Sequence, residues 1–406
     1  MPPSTEQPGG RALLAVLLSR LERELPRAVE LRRRLHADPE TAHEERRTSA
    51  LIAQELPLPA SAAAETGLLA PLGAAPRRPI AIRAELDGLP IRERTRAPFS
   101  AGGETMHACG HDVHMAALIA LVRAAAAVEQ EEGLPVPLLA VFQPSEEAYP
   151  SGAQQLALGE LAAAKPAAVL AAHIHPELPW GSVALDAGAV NAASDSVEIT
   201  VEGEPSHGAY PHHGRDPILA LAQTVVALHA LAGRRLDPLA AATINVGVLE
   251  AGSAENVIPA RARARASLRA HGEREREELR RLVQEVVLGV AAAHGCRATA
   301  ELIPGEPTLE NDARIVARGR ELLAQAELQA AREWRSCGSD DFAFFAALAP
   351  LAMGFVGLDG APGFSTRPLH HPQLLPPEEA VGAVARAQAV LYVAAVDALA
   401  DGGAGS

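Results

Sequence analysis

A chain of 406 residues is long enough for two domains and a large buried core. Its formal net charge of −14 argues against nucleic acid as a partner, because neutralising phosphates takes a basic surface. No run reaches the ~18 to 20 continuous apolar residues of a membrane span, so no membrane partner is expected.

Aromatic residues make up only 3% of the chain, which leaves the core to Ala, Leu and Val, and Lys165 is the sole lysine. The three cysteines are odd in number and widely spaced, which suits the reducing cytoplasm better than a disulfide framework. The short apolar run Leu13–Leu18 leads into Arg20, Glu22 and Arg23 and reads as the start of a helix rather than a signal peptide.

After a Pro/Gly-rich stretch over residues 1–10, expected to be disordered, helices are predicted at Arg11–Ala37 and Thr41–Gln54, parted by Asp38-Pro39. Arg78–Leu86 reads as a strand ending at Asp87-Gly88. Asp112–Val128 reads as an Ala/Leu-rich helix with Asp112 as its cap. Leu134–Phe142 is a near-continuous apolar run, the mark of a strand covered on both faces, and Pro144 stops it. A helix at Gly152–Ala164 and a buried strand at Ala167–Ala172 complete a βαβ rhythm. The expected class is α/β, a mostly parallel sheet flanked by helices.

The pattern changes near Ala192. Val197, Ile199 and Val201 alternate with Glu198, Thr200 and Glu202, as in a half-exposed antiparallel strand. A helix at Pro217–Ala232, strands near Ala242–Leu249 and Ala260–Ala270, a helix at Glu273–His294 and a strand near Arg297–Ile303 follow. This βαββαβ order predicts an inserted α+β domain over residues 191–302. It would divide a catalytic domain made of residues 1–190 and 303–406, with helices again at Asn311–Ala326 and Pro377–Ala400.

The chemistry concentrates in Met106–His114, where three histidines, a cysteine and an aspartate fall within nine residues. Cys109 and His111 would point about 200° apart on a helix, so as joint ligands they need a loop, which Gly110 permits. Thiolate and imidazole together suit Zn²⁺, Co²⁺, Ni²⁺ or Mn²⁺. A structural buried cysteine or a Cys/His nucleophilic pair are the competing readings, and the pair leaves the downstream acids and histidines unexplained.

Glu146 and Glu147 follow a buried strand, and neighbouring side chains on extended backbone face opposite ways. One can bind metal while the other stays free to accept a proton from water. His173/His175 and His370/His371 each offer a candidate ligand, and spacing does not choose within either pair. Asp87, the two glutamates and His173 all sit just after predicted strands, where ligands of parallel sheets bind. His207, Asn256 and Arg269 are uninformative taken alone.

These motifs, in order, resemble the peptidase M20 family, specifically its amidohydrolase branch. The matching stretches are Arg83–Ile91, Met106–His114, Phe142–Glu147, His173–Pro176, Ser206-His207, Asn256–Pro259, Gly338–Phe342 and Leu369–Pro372. The resemblance implies two divalent metal ions held by Cys109, His111, Glu147, His173 and His370, with zinc, manganese, cobalt or nickel as the candidates. It implies Glu146 as general base, Asp87 as a residue orienting a ligand, and His207 as a group that reaches the partner subunit's site in a homodimer, or a tetramer. Asn256 and Arg269 would hold the substrate, a small N-acyl amino acid.

A dipeptidase, a carboxypeptidase, a diaminopimelate-pathway deacylase or a lapsed metal-binding protein are the alternatives. Glu85, Ala148-Tyr149-Pro150 and Pro205-Ser206 depart from the usual family pattern.

Overall fold

The computed structural model describes residues 9–237 and 239–400, so most of the Pro/Gly-rich start lies outside the described residues. The chain separates into two compact units. The first comprises the residues up to Gly188 together with Glu310–Trp334 and the segment from Phe344 onward. The second comprises Ala189–Leu309 and Arg335–Ala343.

The first unit carries an eight-stranded sheet in the order Ser61–Ala63, Gly67–Leu72, Leu138–Gln143, Ile80–Glu85, Ala168–Pro179, Leu351–Asp359, Ser182–Ala184, Gln329–Ala330. The four central strands run parallel, with registers such as Glu85↔Gln143, Arg83↔Ala171 and Phe355↔His173. Antiparallel pairing is confined to the flanks. Ile80, Ile82 and Ala84, like Leu170, Ala172 and Ile174, face the helical core, while Arg83, Glu85 and His173 alternate with them.

Three long helices pack together against this sheet: Gly10–Ala37, His111–Glu131 and Glu379–Ala400. The last two are apolar almost all round because they sit inside the core. His111–Glu131 and Glu379–Leu399 are long and apolar enough to cross a membrane by length and composition, yet 89% of the most apolar stretch of each is buried in the protein.

Two of the differences from the sequence reading lie in the elements of this unit. The expected helix Gly152–Ala164 is two, because Gly159 adopts a non-helical conformation between Gly152–Leu158 and Glu160–Ala164. The central strand Leu351–Asp359 stands where the sequence suggested no element. Its Met-Gly-Phe-Val-Gly run gives no clear period, because the strand is covered on both faces.

The second unit is a four-stranded antiparallel sheet ordered Ala242–Ala251, Arg261–Ala270, Ala193–Glu202, Arg297–Pro304, covered by the helices Pro217–Leu231 and Glu273–Ala293. Val197, Ile199 and Val201 are buried against Leu279, Leu282 and Val283, as their alternation required. Asp195 anchors the charged helix by accepting paired hydrogen bonds from Arg276 and Arg280 at 2.7–3.0 Å.

Candidate metal centre

Within the first unit, the ends of the parallel strands bring Cys109, His111, Glu146, Glu147, His173 and His370 together. Gly110 makes this possible for the first two. At φ +82° it lies in the left-handed region, so the chain leaves a loop at Cys109 and enters a helix at His111. Cys109 Sγ then lies 3.6 Å from His173 Nε2. Donor atoms of Cys109, Glu147 and His370 lie within 4.8 Å of one another, as do those of His111, Glu146 and Glu147.

His370 belongs to a distant segment, tied in by its backbone N–H donating to the Ala108 carbonyl at 2.8 Å. It holds φ +64°, a left-handed conformation that costs a non-glycine residue roughly 1–2 kcal/mol. Its Nε2 sits 3.1 Å from Glu147 Oε1. Of the two adjacent histidines, His370 is the one at the cluster; His371 instead uses Nδ1 to accept the Gln373 amide. Likewise His173 faces the cluster, whereas His175 packs against Trp334 with ring centroids 4.7 Å apart.

Glu146 and Glu147 are delivered by a turn at Ser145, which is buried with φ +48°. The buried Glu45 accepts its N–H at 2.7 Å. Glu146 Oε2 stands 3.8 Å from His111 Nε2.

Asp87 supports two neighbours at once. Its backbone carbonyl accepts the His111 Nδ1–H at 2.8 Å, and its carboxylate accepts the Glu147 N–H at 2.9 Å. The carboxylate therefore aligns Glu147, while the main chain fixes the His111 ring so that Nε2 points away from it.

The electrostatics favour a cation. Burial opposes charge on His111, but Glu85, Asp87 and Glu147 outweigh it and raise the imidazole to about 10. His111 Nε2 is buried with no hydrogen-bond partner. An imidazole nitrogen grouped with the Glu146 and Glu147 carboxylates, the second of which also meets Cys109 and His370, belongs to a donor set matched to a divalent transition metal. The residues present fit such ions.

Asp112 is not the cap the sequence suggested. Gly110 occupies the cap position, and the Asp112 carboxylate is buried between Arg32 Nε at 2.8 Å and His36 Nδ1 at 2.9 Å. Burial would push His36 down, but Asp112 and Glu93 raise it to about 9. This buried network clamps the N-terminal helix to the motif helix. Nothing in the sequence spacing flags it.

His107 is buried and pushed down to about 4 by desolvation, and takes no part in the donor cluster. The remaining predicted residues lie in the second unit. His207 is exposed on the strand Ser206–His207, which pairs with Val257–Ile258, and the Gly208 N–H donates to the Asn256 carbonyl at 2.7 Å. His207 and Asn256 are thus neighbours. Arg269 Nη1 donates to Ser339 Oγ at 2.8 Å.

The sequence model of Peptidase family M20/M25/M40 matches residues 81–391. An N-acetyl-L-cysteine deacetylase of Bacillus subtilis is 33% identical over 372 residues, covering 90% of this chain and 86% of the relative. An N-acetyldiaminopimelate deacetylase of Bacillus licheniformis is 30% identical over 373 residues, covering 89% and 96%. The crystal structure of a dinuclear metal-binding M20 peptidase from Bacillus subtilis matches with a TM-score of 0.79 at 28% identity, covering 92% of this chain and 98% of that one. With strand-end acids, histidines and a cysteine already gathered into one cluster, these matches make the chain a member of peptidase family M20/M25/M40, a metal-dependent amidohydrolase.

Proposed function

We propose that the protein removes the acyl group from N-acyl amino acids, with short acyl groups such as acetyl the first to test. The observation that carries this reading is the pairing of Glu146 and Glu147 at one strand end, one beside His370 and the other beside His111. Cys109, His111, Glu147, His173 and His370 would hold the two ions. When bound, zinc, manganese, cobalt or nickel would polarise the amide carbonyl and ease deprotonation of the attacking water. Glu146 takes the proton from that water and returns one to the leaving amine. Asp87 keeps Glu147 and His111 in register throughout.

His207 is assigned to the developing oxyanion, and Asn256 and Arg269 to the substrate's amino-acid end. The second unit is read as a lid and dimer surface, with a tetramer as a larger assembly. In support, its edge strand Ala242–Ala251 and the helix Pro217–Leu231 leave Leu249, Ile218, Leu219 and Val226 exposed. Cys109, Cys296 and Cys337 form no disulfide, in keeping with a cytoplasmic enzyme.

The names of the relatives favour acetylated amino acids, including acetyl-diaminopimelate, over the benzoyl substrates of hippurate hydrolases. The test is a panel of acetyl, benzoyl and longer-acyl amino acids with acetyl-diaminopimelate, run on wild type and Glu146→Gln. Release of free amino acid by wild type alone, with equal metal content in both proteins, is expected. Near-normal turnover by Glu146→Gln would end the assignment of the base.

A further inference from the structure

A second set of donors lies directly behind the ligands. Atoms of Glu85, His111, His114 and His173 fall within 4.8 Å of one another, and all four residues are buried. The set is not another metal site, because both nitrogens of His114 are engaged by protein. Nδ1 faces Glu85 Oε2 at 2.9 Å, and Nε2 accepts the Ile174 N–H at 3.0 Å. A ring nitrogen that accepts an amide carries no proton, so the proton sits on Nδ1 and is donated to Glu85.

The Ile174 amide needs this partner. The strand Ile80–Glu85 pairs with Ala168–Pro179 only as far as Arg83↔Ala171, so beyond that point His114 takes the place of a neighbouring strand. On its other side, the Ile174 carbonyl accepts Nδ1–H of His173 at 2.6 Å, which leaves His173 Nε2 facing Cys109. Glu85 is itself fixed by Arg83, which contacts it and donates from Nε to Gln143 Oε1 at 2.8 Å. A buried chain therefore runs from Gln143 and Arg83 through Glu85 and His114 to Ile174 and His173. Its histidine ring lies 4.5 Å from the His173 ring and 5.7 Å from that of His111.

We propose that His114 is a positioning residue for the metal centre, holding the Ile174 main chain so that His173 presents Nε2 to the ion. The proposal rests on His173 being a ligand. It also gives a role to Glu85, whose carboxylate reaches the His114 ring. Outer partners of this kind typically govern metal affinity by about 10- to 100-fold when removed.

The experiment compares His114→Gln, His114→Asn and His114→Ala, with His173→Ala as control, measuring zinc and cobalt affinity by chelator competition and thermal unfolding of the metal-free proteins. The glutamine oxygen can reach the Ile174 amide from the place of Nε2, and the asparagine oxygen stops short. His114→Gln should stay close to wild-type affinity, while His114→Asn and His114→Ala lose about tenfold or more. The asparagine–glutamine pair keeps the comparison valid should the alanine variant fail to fold.

Equal affinity of the asparagine and glutamine variants, or wild-type affinity in His114→Ala, would overturn the proposal. A role confined to the fold would lower metal-free stability and leave affinity unmoved. If His173→Ala itself binds metal like wild type, the ligand assignment fails, and that result is distinct from failure of the positioning role.

Discussion

Gly110→Ala is the sharpest structural perturbation of the centre. An added Cβ would lie 2.4 Å from Ile174 Cδ1 and 2.8 Å from Cγ1, with φ at +82°. The left-handed conformation costs alanine roughly 1–2 kcal/mol. Forcing a methyl against the fully buried Ile174 adds about 1–3 kcal/mol. The sum is about 2–5 kcal/mol, and the displacement falls on the two segments that carry Cys109, His111 and His173.

Denaturant unfolding of metal-free protein measures the first effect, and chelator competition measures the second. The double variant Gly110→Ala with Ile174→Val removes Cδ1 and should recover part of the packing cost but none of the backbone cost. An unfolding midpoint and metal affinity equal to wild type in Gly110→Ala would refute this account of the loop-to-helix turn.

Other predictions concern the second unit. Asp195 is desolvated, yet Arg276 and Arg280 hold it down at about 2, below its ordinary 3.8, so its contribution is complete above 3.8 and lost as the pH falls through about 2. Asp195→Asn should therefore cost about 2–3 kcal/mol at neutral pH, where the buried Arg276 and the half-buried Arg280 lose their shared carboxylate, and far less near pH 2. Urea unfolding at the two pH values checks it, and an equal deficit at both would contradict it. If His207 acts across a dimer, His207→Ala and Glu146→Ala proteins should regain partial turnover when their subunits exchange. Proven exchange without recovery would place His207 in its own subunit's site or outside catalysis.

Much of this was legible because it is written in short range. The apolar runs at Leu134–Phe142 and Ala167–Ala172, the alternation at Val197–Val201 and the loop-permitting Gly110 each declare their local conformation. The cluster Cys109/His111 and the pair Glu146/Glu147 were visible as residue types at strand ends. Spacing could not choose His173 over His175 or His370 over His371, since that choice depends on where each chain segment is pinned. Ala108 pins His370, and the Ile174 carbonyl pins the His173 ring.

Asp112 misled because a helix-start aspartate usually caps, and only the buried Arg32 and His36 of a distant helix redirect it. Glu45 beneath Ser145, and the Glu85–His114 pair, were hidden for the same reason: contacts between remote segments leave no periodic trace.

The most direct test of the central claim is to strip the protein with a chelator and titrate zinc, manganese, cobalt or nickel back while recording bound metal and hydrolysis of an acetylated amino acid. The expected result is loss of turnover on stripping, and its return as metal binds up to two equivalents per chain, with Glu146→Gln binding the same metal and staying inactive. Undiminished turnover in metal-free protein would contradict the account.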